Sequence, residues 1–276
     1  MKTWFITGAS RGFGLRIARA ALDRGDAVVA TARRAEAVAE TLGERPDLFV
    51  VALDVTDETQ ARAAAAAAVT RFGAIDVLLN NAGFGLLGAV EEASAEEVER
   101  IYRTNVFGLL NVTRAVLPYM RERRSGRIIN ISSIGGYRGA AGFGVYSSTK
   151  FAVEGLSEAL HAELAPLGIH VTVAEPGYFR TDFLDSSSLA VSSAGIADYN
   201  GTAGAVRRVA ARLNHGQPGD PERLARVLVD FADVADPPVR LPLGSDTVAA
   251  IEAKHAADAA ILRQWRAVSV STDFAA

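Results

Sequence analysis

Seven short runs rich in Val, Ile and Leu, at residues 3–7, 27–31, 48–53, 77–80, 127–132, 170–175 and 239–243, alternate with segments whose apolar residues recur at helical spacing, at 14–24, 58–72, 96–120, 145–167, 221–235 and 247–268. Most of the runs are apolar at successive positions rather than at every second one, the pattern of strands covered by helices on each side of a parallel sheet. Parallel neighbours need right-handed crossovers, so this alternation leaves few topologies open. The expected class is α/β: a doubly wound, seven-stranded parallel sheet with helices on both faces. Ligands bind such sheets at the carboxyl ends of the strands, and functional residues are to be sought in the loops that follow them. No repeat, charge block or linker divides the chain, so residues 1–276 are expected to form a single domain. The stretch 182–220 differs in being rich in Ser, Gly and Ala, with patchy helical spacing only near 205–213. A stretch of that length within a compact domain is expected to be a lid over a site.

Composition narrows the chemistry. The chain has no cysteine, which excludes disulfides, thiolate catalysis and cysteine-bound zinc. Its four histidines are scattered and form no H-E-x-x-H, so no metal site is expected. A formal net charge of -3 without a dense Lys/Arg cluster gives no footprint for nucleic acid or an anionic membrane. The longest purely apolar run, 63–69, is far short of the ~18 residues of a membrane span, and the N-terminus lacks a secretory pattern. A cytoplasmic protein with a small-molecule partner is the expectation.

The first strand runs into Thr7-Gly8-Ala9-Ser10-Arg11-Gly12-Phe13-Gly14 and then a helix. Glycine permits left-handed torsions and close approach of a ligand to the backbone, and a helix N-terminus offers unpaired N–H groups and a favourable dipole. Anion binding is the physical expectation, with a plain turn as the alternative. After the second strand stands Ala32-Arg33-Arg34, about where a dinucleotide (Rossmann) fold reads the adenosine ribose. A carboxylate there would bind a 2′-hydroxyl. Arg33, with Arg11 or Arg34, instead offers planar donors suited to a 2′-phosphate, which favours NADPH over NAD.

The spacing T-G-x-x-x-G-x-G resembles that of the short-chain dehydrogenase/reductase family, in its compact single-domain branch. The resemblance implies cofactor contacts from Gly8, Ser10, Arg11, Gly12, Phe13 and Gly14. It also implies an adenine-contacting pair at Asp54-Val55, and an N-N-A-G element at Asn80–Gly83 in which Asn81, Ala82 and Gly83 touch the cofactor while Asn80 ties strands together. In Pro176-Gly177-Tyr178-Phe179-Arg180-Thr181, a loop of the same family implies that Pro176, Gly177, Phe179 and Thr181 hold the nicotinamide carboxamide.

At the reacting end, Tyr146-Ser147-Ser148-Thr149-Lys150 opens a predicted helix, and a spacing of four puts phenol and ammonium on one helical face. A free phenol has a pKa near ~10, and bringing it to neutrality takes about 4 kcal/mol of preference for phenolate, much of which a close ammonium could supply. Ser133 lies thirteen residues before Tyr146, the separation the family uses for its catalytic serine. Asn105 corresponds to the fourth catalytic member, which is thought to kink a helix and anchor a water on the way to the lysine. The implied reaction is hydride transfer to a carbonyl with Tyr146 protonating its oxygen, Ser133 positioning it, and Tyr146 and Lys150 also meeting the nicotinamide ribose.

Phe84, Leu86, Tyr137, Phe143, Phe183 and Leu184 flank these motifs and are expected to line an apolar pocket. A small hydrophobic ketone, aldehyde or alcohol is the expected substrate, since N-N-A-G-F-G and the long C-terminal part resemble the hydroxysteroid dehydrogenase-like subgroup. The family pairs through helices equivalent to 96–120 and 145–167, so a homodimer or homotetramer is expected. The competing readings are an NAD-dependent alcohol or hydroxysteroid dehydrogenase, and a non-catalytic NADP-binding sensor; the second commonly lacks the tyrosine or lysine that this chain keeps.

Overall fold

A computed structural model describes residues 1–274; the last two residues of the expected domain lie outside the described residues. The strands are β1 (Thr3–Thr7), β2 (Ala27–Ala32), β3 (Leu48–Ala52), β4 (Val77–Asn80), β5 (Gly85–Leu87), β6 (Gly126–Ile131), β7 (Ile169–Pro176), β8 (Leu189–Val191) and β9 (Arg240–Leu243). Seven of them form one sheet in the order β3-β2-β1-β4-β6-β7-β9. Every pairing is parallel, for example Thr3 with Ala27 and Gly126 with Ile169. The order reverses beside β1, and the crevice there lies at the carboxyl ends of β1 and β4.

The helices are α1 (Gly12–Asp23), α2 (Glu36–Leu42), α3 (Glu58–Phe72), α4 (Ala95–Tyr102), α5 (Leu109–Arg123), α6 (Gly144–Leu164), α7 (Ala203–Leu213), α8 (Pro221–Phe231) and α9 (Ser245–Val270). They start where the sequence supplies caps. Asp57 accepts from the amides of Thr59 and Gln60 ahead of α3, Ser94 and Glu97 form a capping box on α4, and Asp220 precedes Pro221 on α8. One core layer packs Trp4, Ile6, Val28 and Leu79 of the sheet against Ile17, Leu22, Leu224 and Leu228 of α1 and α8. The other packs Phe5, Val29, Leu78 and Ile128 against Ala64, Val112, Val116 and Met120 of α3 and α5. No described helix is long and apolar enough to cross a membrane.

Four features depart from the sequence reading. The expected helix 96–120 is two helices joined by a π-helical turn at Arg103–Gly108, whose wider turn directs Asn105 inward. The expected helix 145–167 ends at Leu164 and closes with a 3₁₀ turn at Ala165–Leu167, where Pro166 and Gly168 halt it. Helix α2 was not expected, because Val38 is its single buried residue and leaves little periodicity to read. The segment 182–220 is built rather than irregular: β8 pairs with β5, helix α7 follows, and Phe179 bridges to Gly219 at its base.

Candidate active site

The glycine turn owes its shape to three glycines doing different things. Gly8 and Gly12 have φ of +68° and +58°, in the left-handed region. A Cβ on Gly14 would lie 2.6 Å from Asn81 Nδ2 and press closer still on the Gly8 carbonyl, whereas one on Gly12 would meet open space. The turn is braced from β4. Thr7 Oγ1 accepts from the amides of Asn81 and Ala82 at 2.9 and 3.0 Å, and Asn81 Nδ2 donates to the Thr7 and Gly8 carbonyls at 2.9 and 3.1 Å. The Asn81 side chain therefore holds the turn through its Nδ2. Asn80 is a strand tie as expected, donating to Asn130 and Thr113 at 2.9 and 3.0 Å.

Gly8, Gly12, Asn81 and Ala82, with Ser10, Arg11, Phe13 and Gly83, line one cleft of about 1300 Å³, whereas Gly14 and Asn80 stand behind it. That volume exceeds the roughly 300–1000 Å³ of a site for one drug-sized ligand. Arg33 and Arg34 line it at the end of β2, and no described residue accepts a hydrogen bond from either. Arg11 instead reaches across the cleft and donates to the Ser187 carbonyl in the segment above. Asp54 turns its carboxylate onto Thr56, while its neighbour Val55 packs where a Cβ on Gly108 would stand.

At the other end, Ser133, Tyr146 and Lys150 line the same cleft. Lys150 Nζ sits 5.8 Å from the centre of the Tyr146 ring and donates to the Ile131 carbonyl at 2.9 Å. Ser133 caps the 3₁₀ turn Ile134–Gly136 by accepting from Gly135 N at 3.1 Å. Burial pushes the Tyr146 phenol well above its ordinary value; the Ser133 hydroxyl pulls it back, and Tyr178 adds to the push. Burial lowers the Lys150 ammonium to about 8, against the opposing pull of Glu154. In the protein alone, then, burial sets the phenol high, and the group that draws it down is Ser133 rather than the expected ammonium. Asn105 lies behind them, holding the Phe84 peptide at both ends: its Oδ1 accepts from Phe84 N at 3.1 Å and its Nδ2 donates to Phe84 O at 2.9 Å. A Cβ on Gly83 would lie 3.1 Å from Asn105 Oδ1 and 3.8 Å from Lys150 Nζ, so glycine leaves room for both.

The loop after β7 is held by a residue that nothing in the sequence marks out. Asp246, at the start of α9, accepts from Tyr178 N at 2.7 Å, and a Cβ on Gly177 would collide with its carboxylate. Phe179 stacks edge-on to Phe13 at 5.5 Å, and Thr181 accepts from Phe183 N at 3.3 Å. Of the expected apolar lining, Phe84, Phe143, Phe183 and Leu184 face the cleft. Leu86 is instead core within β5, and Tyr137 turns away to lie under Arg240 and against His255. The segment above is latched by Glu92, whose buried carboxylate accepts from Ala89 N and Ile196 N at 2.7 and 3.0 Å and pairs with Arg207 of α7.

One turn beyond Lys150, Glu154 shares the Arg240 guanidinium with Glu175, at 2.7 and 2.6 Å. Burial raises the Glu154 carboxyl above its ordinary 4.5, and Glu175 adds to the rise. A carboxyl raised on folding binds its proton more tightly in the native state, so its contribution is fully present below pH 4.5 and is lost as pH climbs through its folded value. Glu154→Gln is expected to abolish that loss. Urea unfolding at pH 5 and pH 8 should show native stability falling more for the natural chain than for the variant; equal falls would contradict the assignment.

The model for the family described as "short chain dehydrogenase" matches residues 2–191. Among curated proteins, oxidoreductase BOA17 of Botryotinia fuckeliana is 39% identical over 277 residues, covering 98% of this chain and 99% of the relative. The 3-ketodihydrosphingosine reductase of Bacteroides thetaiotaomicron is 44% identical over 194 residues, covering 70% of each. Among solved structures, a short-chain dehydrogenase from Streptomyces avermitilis superposes with a TM-score of 0.92 at 42% identity, covering 99% of both chains. Two others, 30% and 31% identical, are complexes with NADH and NADPH.

Proposed function

The chain is an oxidoreductase of the short-chain dehydrogenase family, and from that premise we propose that it is an NADP(H)-dependent carbonyl reductase, reversible as an alcohol dehydrogenase, acting on an apolar substrate. The observation that carries this reading is the convergence of Tyr146, Ser133 and Lys150 with the glycine turn on one cleft. Bound NADPH supplies a hydride to the carbonyl carbon. Tyr146 gives its phenolic proton to the oxygen, Ser133 holds that oxygen in place, and Lys150 donates to the ribose and returns a proton toward Tyr146. Asn105, with Lys150 beside Gly83, holds the inner end of that proton path. The amides at the start of α1, from Gly8, Ser10, Gly12, Phe13 and Gly14, suit the pyrophosphate. Asp54 and Val55 flank the adenine, Asn81, Ala82 and Gly83 the ribose, and Pro176, Gly177, Phe179 and Thr181 the carboxamide.

Preference for NADP rests on Arg33, supported by Arg34 and Arg11, where no carboxylate stands at the end of β2. Arg33→Asp is expected to weaken NADPH binding by roughly 100-fold, the scale of one charge-assisted pair of about 1.5–3 kcal/mol plus repulsion by the new acid. NADH binding should hold or improve. Fluorescence titration of both cofactors measures this, and an unchanged NADPH affinity would overturn the assignment.

Phe143 and Phe183 pack on Tyr146 at 6.0 and 5.5 Å between ring centres, and with Phe84 and Leu184 they support an apolar ketone, aldehyde or alcohol as substrate. The segment 182–220 acts as a lid on this site, held by Glu92. Pairing of two chains through α4, α5 and α6 is supported by Phe107, in the turn joining α4 to α5, and Phe151 of α6, each about half exposed.

A further inference from the structure

At the far end of the lid, from Ala211 to Asp220, the chain is exposed or half-buried at every position except Gln217, which is 1% exposed. Glutamine is ordinarily a surface residue, and a buried amide ordinarily finds partners for both its ends. Gln217 finds neither: no described residue hydrogen-bonds its Oε1 or its Nε2. Its backbone, by contrast, is fastened. The Gln217 carbonyl accepts from Arg180 Nε and Nη2 at 3.3 Å each. Two residues on, Gly219 N donates to the Tyr178 carbonyl and the Gly219 carbonyl accepts from Arg180 N, both at 2.9 Å. Residues 217–219 thus run beside the loop after β7, and Gln217 lines the cleft together with that loop and Phe13 of the glycine turn. No hydrogen bond restrains its side-chain torsions, so the amide can turn toward a group lodged in the cleft. Burying an amide without a partner leaves its desolvation uncompensated, and a ligand there would remove that cost.

The two orphaned ends say what kind of group that is. A donor and an acceptor side by side call for an acceptor and a donor side by side. A phosphate or a ketone oxygen only accepts, whereas a primary carboxamide does both. The edge of adenine does both as well. However, Asp54 and Val55 follow β3, on the opposite side of the β1 crevice from β7 and its loop. The group proposed to lie beside residues 176–181 is the nicotinamide carboxamide. We propose that Gln217 binds this carboxamide edge to edge, Nε2 donating to its oxygen and Oε1 accepting from its nitrogen, so that the lid carries a cofactor contact of its own. The inference rests on the proposed nicotinamide site but not on the preference for NADP, since NAD carries the same carboxamide.

The test compares NADP⁺ with its 3-acetylpyridine analogue, which keeps the carbonyl oxygen and lacks the amide N–H groups, in the natural chain and in Gln217→Met. Methionine keeps the length of the side chain and removes both polar ends. By isothermal titration calorimetry, Gln217→Met should weaken NADP⁺ binding roughly 10-fold and shrink the natural chain's preference for NADP⁺ over the analogue by about 3-fold or more. The melting midpoint without cofactor should hold or rise, because the variant no longer buries an unpaired amide. A preference unchanged by the substitution, or a lowered midpoint with unchanged NADP⁺ affinity, would overturn the proposal and leave the proposed reaction standing. If the natural chain takes NAD⁺ instead, NAD⁺ and its own 3-acetylpyridine analogue give the same comparison. Binding of neither dinucleotide to the natural chain would overturn the proposed reaction along with this contact.

Discussion

Tyr146→Phe is expected to lower the turnover of ketone reduction by about 10³-fold or more while leaving the dissociation constant for NADPH within a few-fold of the natural chain. The phenyl ring keeps the contacts that Tyr146 makes with Phe143 and Phe183, so packing survives and only the transferable proton goes. The loss should not be recovered by changing pH, since no other described phenol or carboxyl lies in that position. In the natural chain, reduction should weaken as pH rises through about 8, where Lys150 gives up its proton and can no longer replenish the phenol. Alcohol oxidation should respond in the opposite sense. Stopped-flow absorbance with saturating ketone separates binding from turnover; retention of even a tenth of the natural rate would remove Tyr146 from the reaction.

Gly14→Ala is expected to damage both the fold and cofactor binding, and Gly12→Ala chiefly cofactor binding, with a smaller cost to the fold. The methyl at position 14 would be driven against the Gly8 carbonyl and Asn81, neither of which can yield without opening the link between β1 and β4. Overpacking of this kind costs about 1–3 kcal/mol, and the displaced turn would lose its aim at the ligand. At position 12 the methyl meets no protein atom, so the cost to the fold is confined to the left-handed torsion, about 1–2 kcal/mol. That methyl would project into open space where the pyrophosphate is proposed to lie. Thermal melts with and without NADPH should show a lowered midpoint for both variants, a larger drop for Gly14→Ala, and no stabilisation by NADPH in either. Ordinary stabilisation of either variant by NADPH would contradict the assigned role of the turn.

The sheet was readable because its strands are buried on both faces, so apolar runs such as 27–31 and 77–80 stand out without alternation. The glycine turn and the Tyr146/Lys150 pair were readable because their geometry is local: a strand-to-helix turn in one case, one turn of helix in the other. The π-helical turn left no mark on the apolar pattern, since Ile101, Val106, Leu109 and Val112 keep near-helical spacing across it, and only the family resemblance implied a kink at Asn105. Asp246, Glu92 and Glu175 were not readable. Each is an acid whose partner lies 65 or more residues away, at Tyr178, Ile196 and Arg240, and a charge in a sequence says nothing of the distant donor that will bury it. Tyr137 and Leu86 were misread for a related reason, because proximity to a motif along the chain does not fix the direction of a side chain.

In the proposed reaction this cleft delivers a hydride and the Tyr146 proton to one carbonyl group. A single turnover with NADPH deuterated at the transferable C4 position and an apolar aryl ketone, followed by mass spectrometry of the alcohol, tests it most directly. The expected result is one deuterium on the carbinol carbon from the natural chain and no deuterated alcohol from Tyr146→Phe. An alcohol without the label, or an equal labelled yield from both proteins, would contradict it.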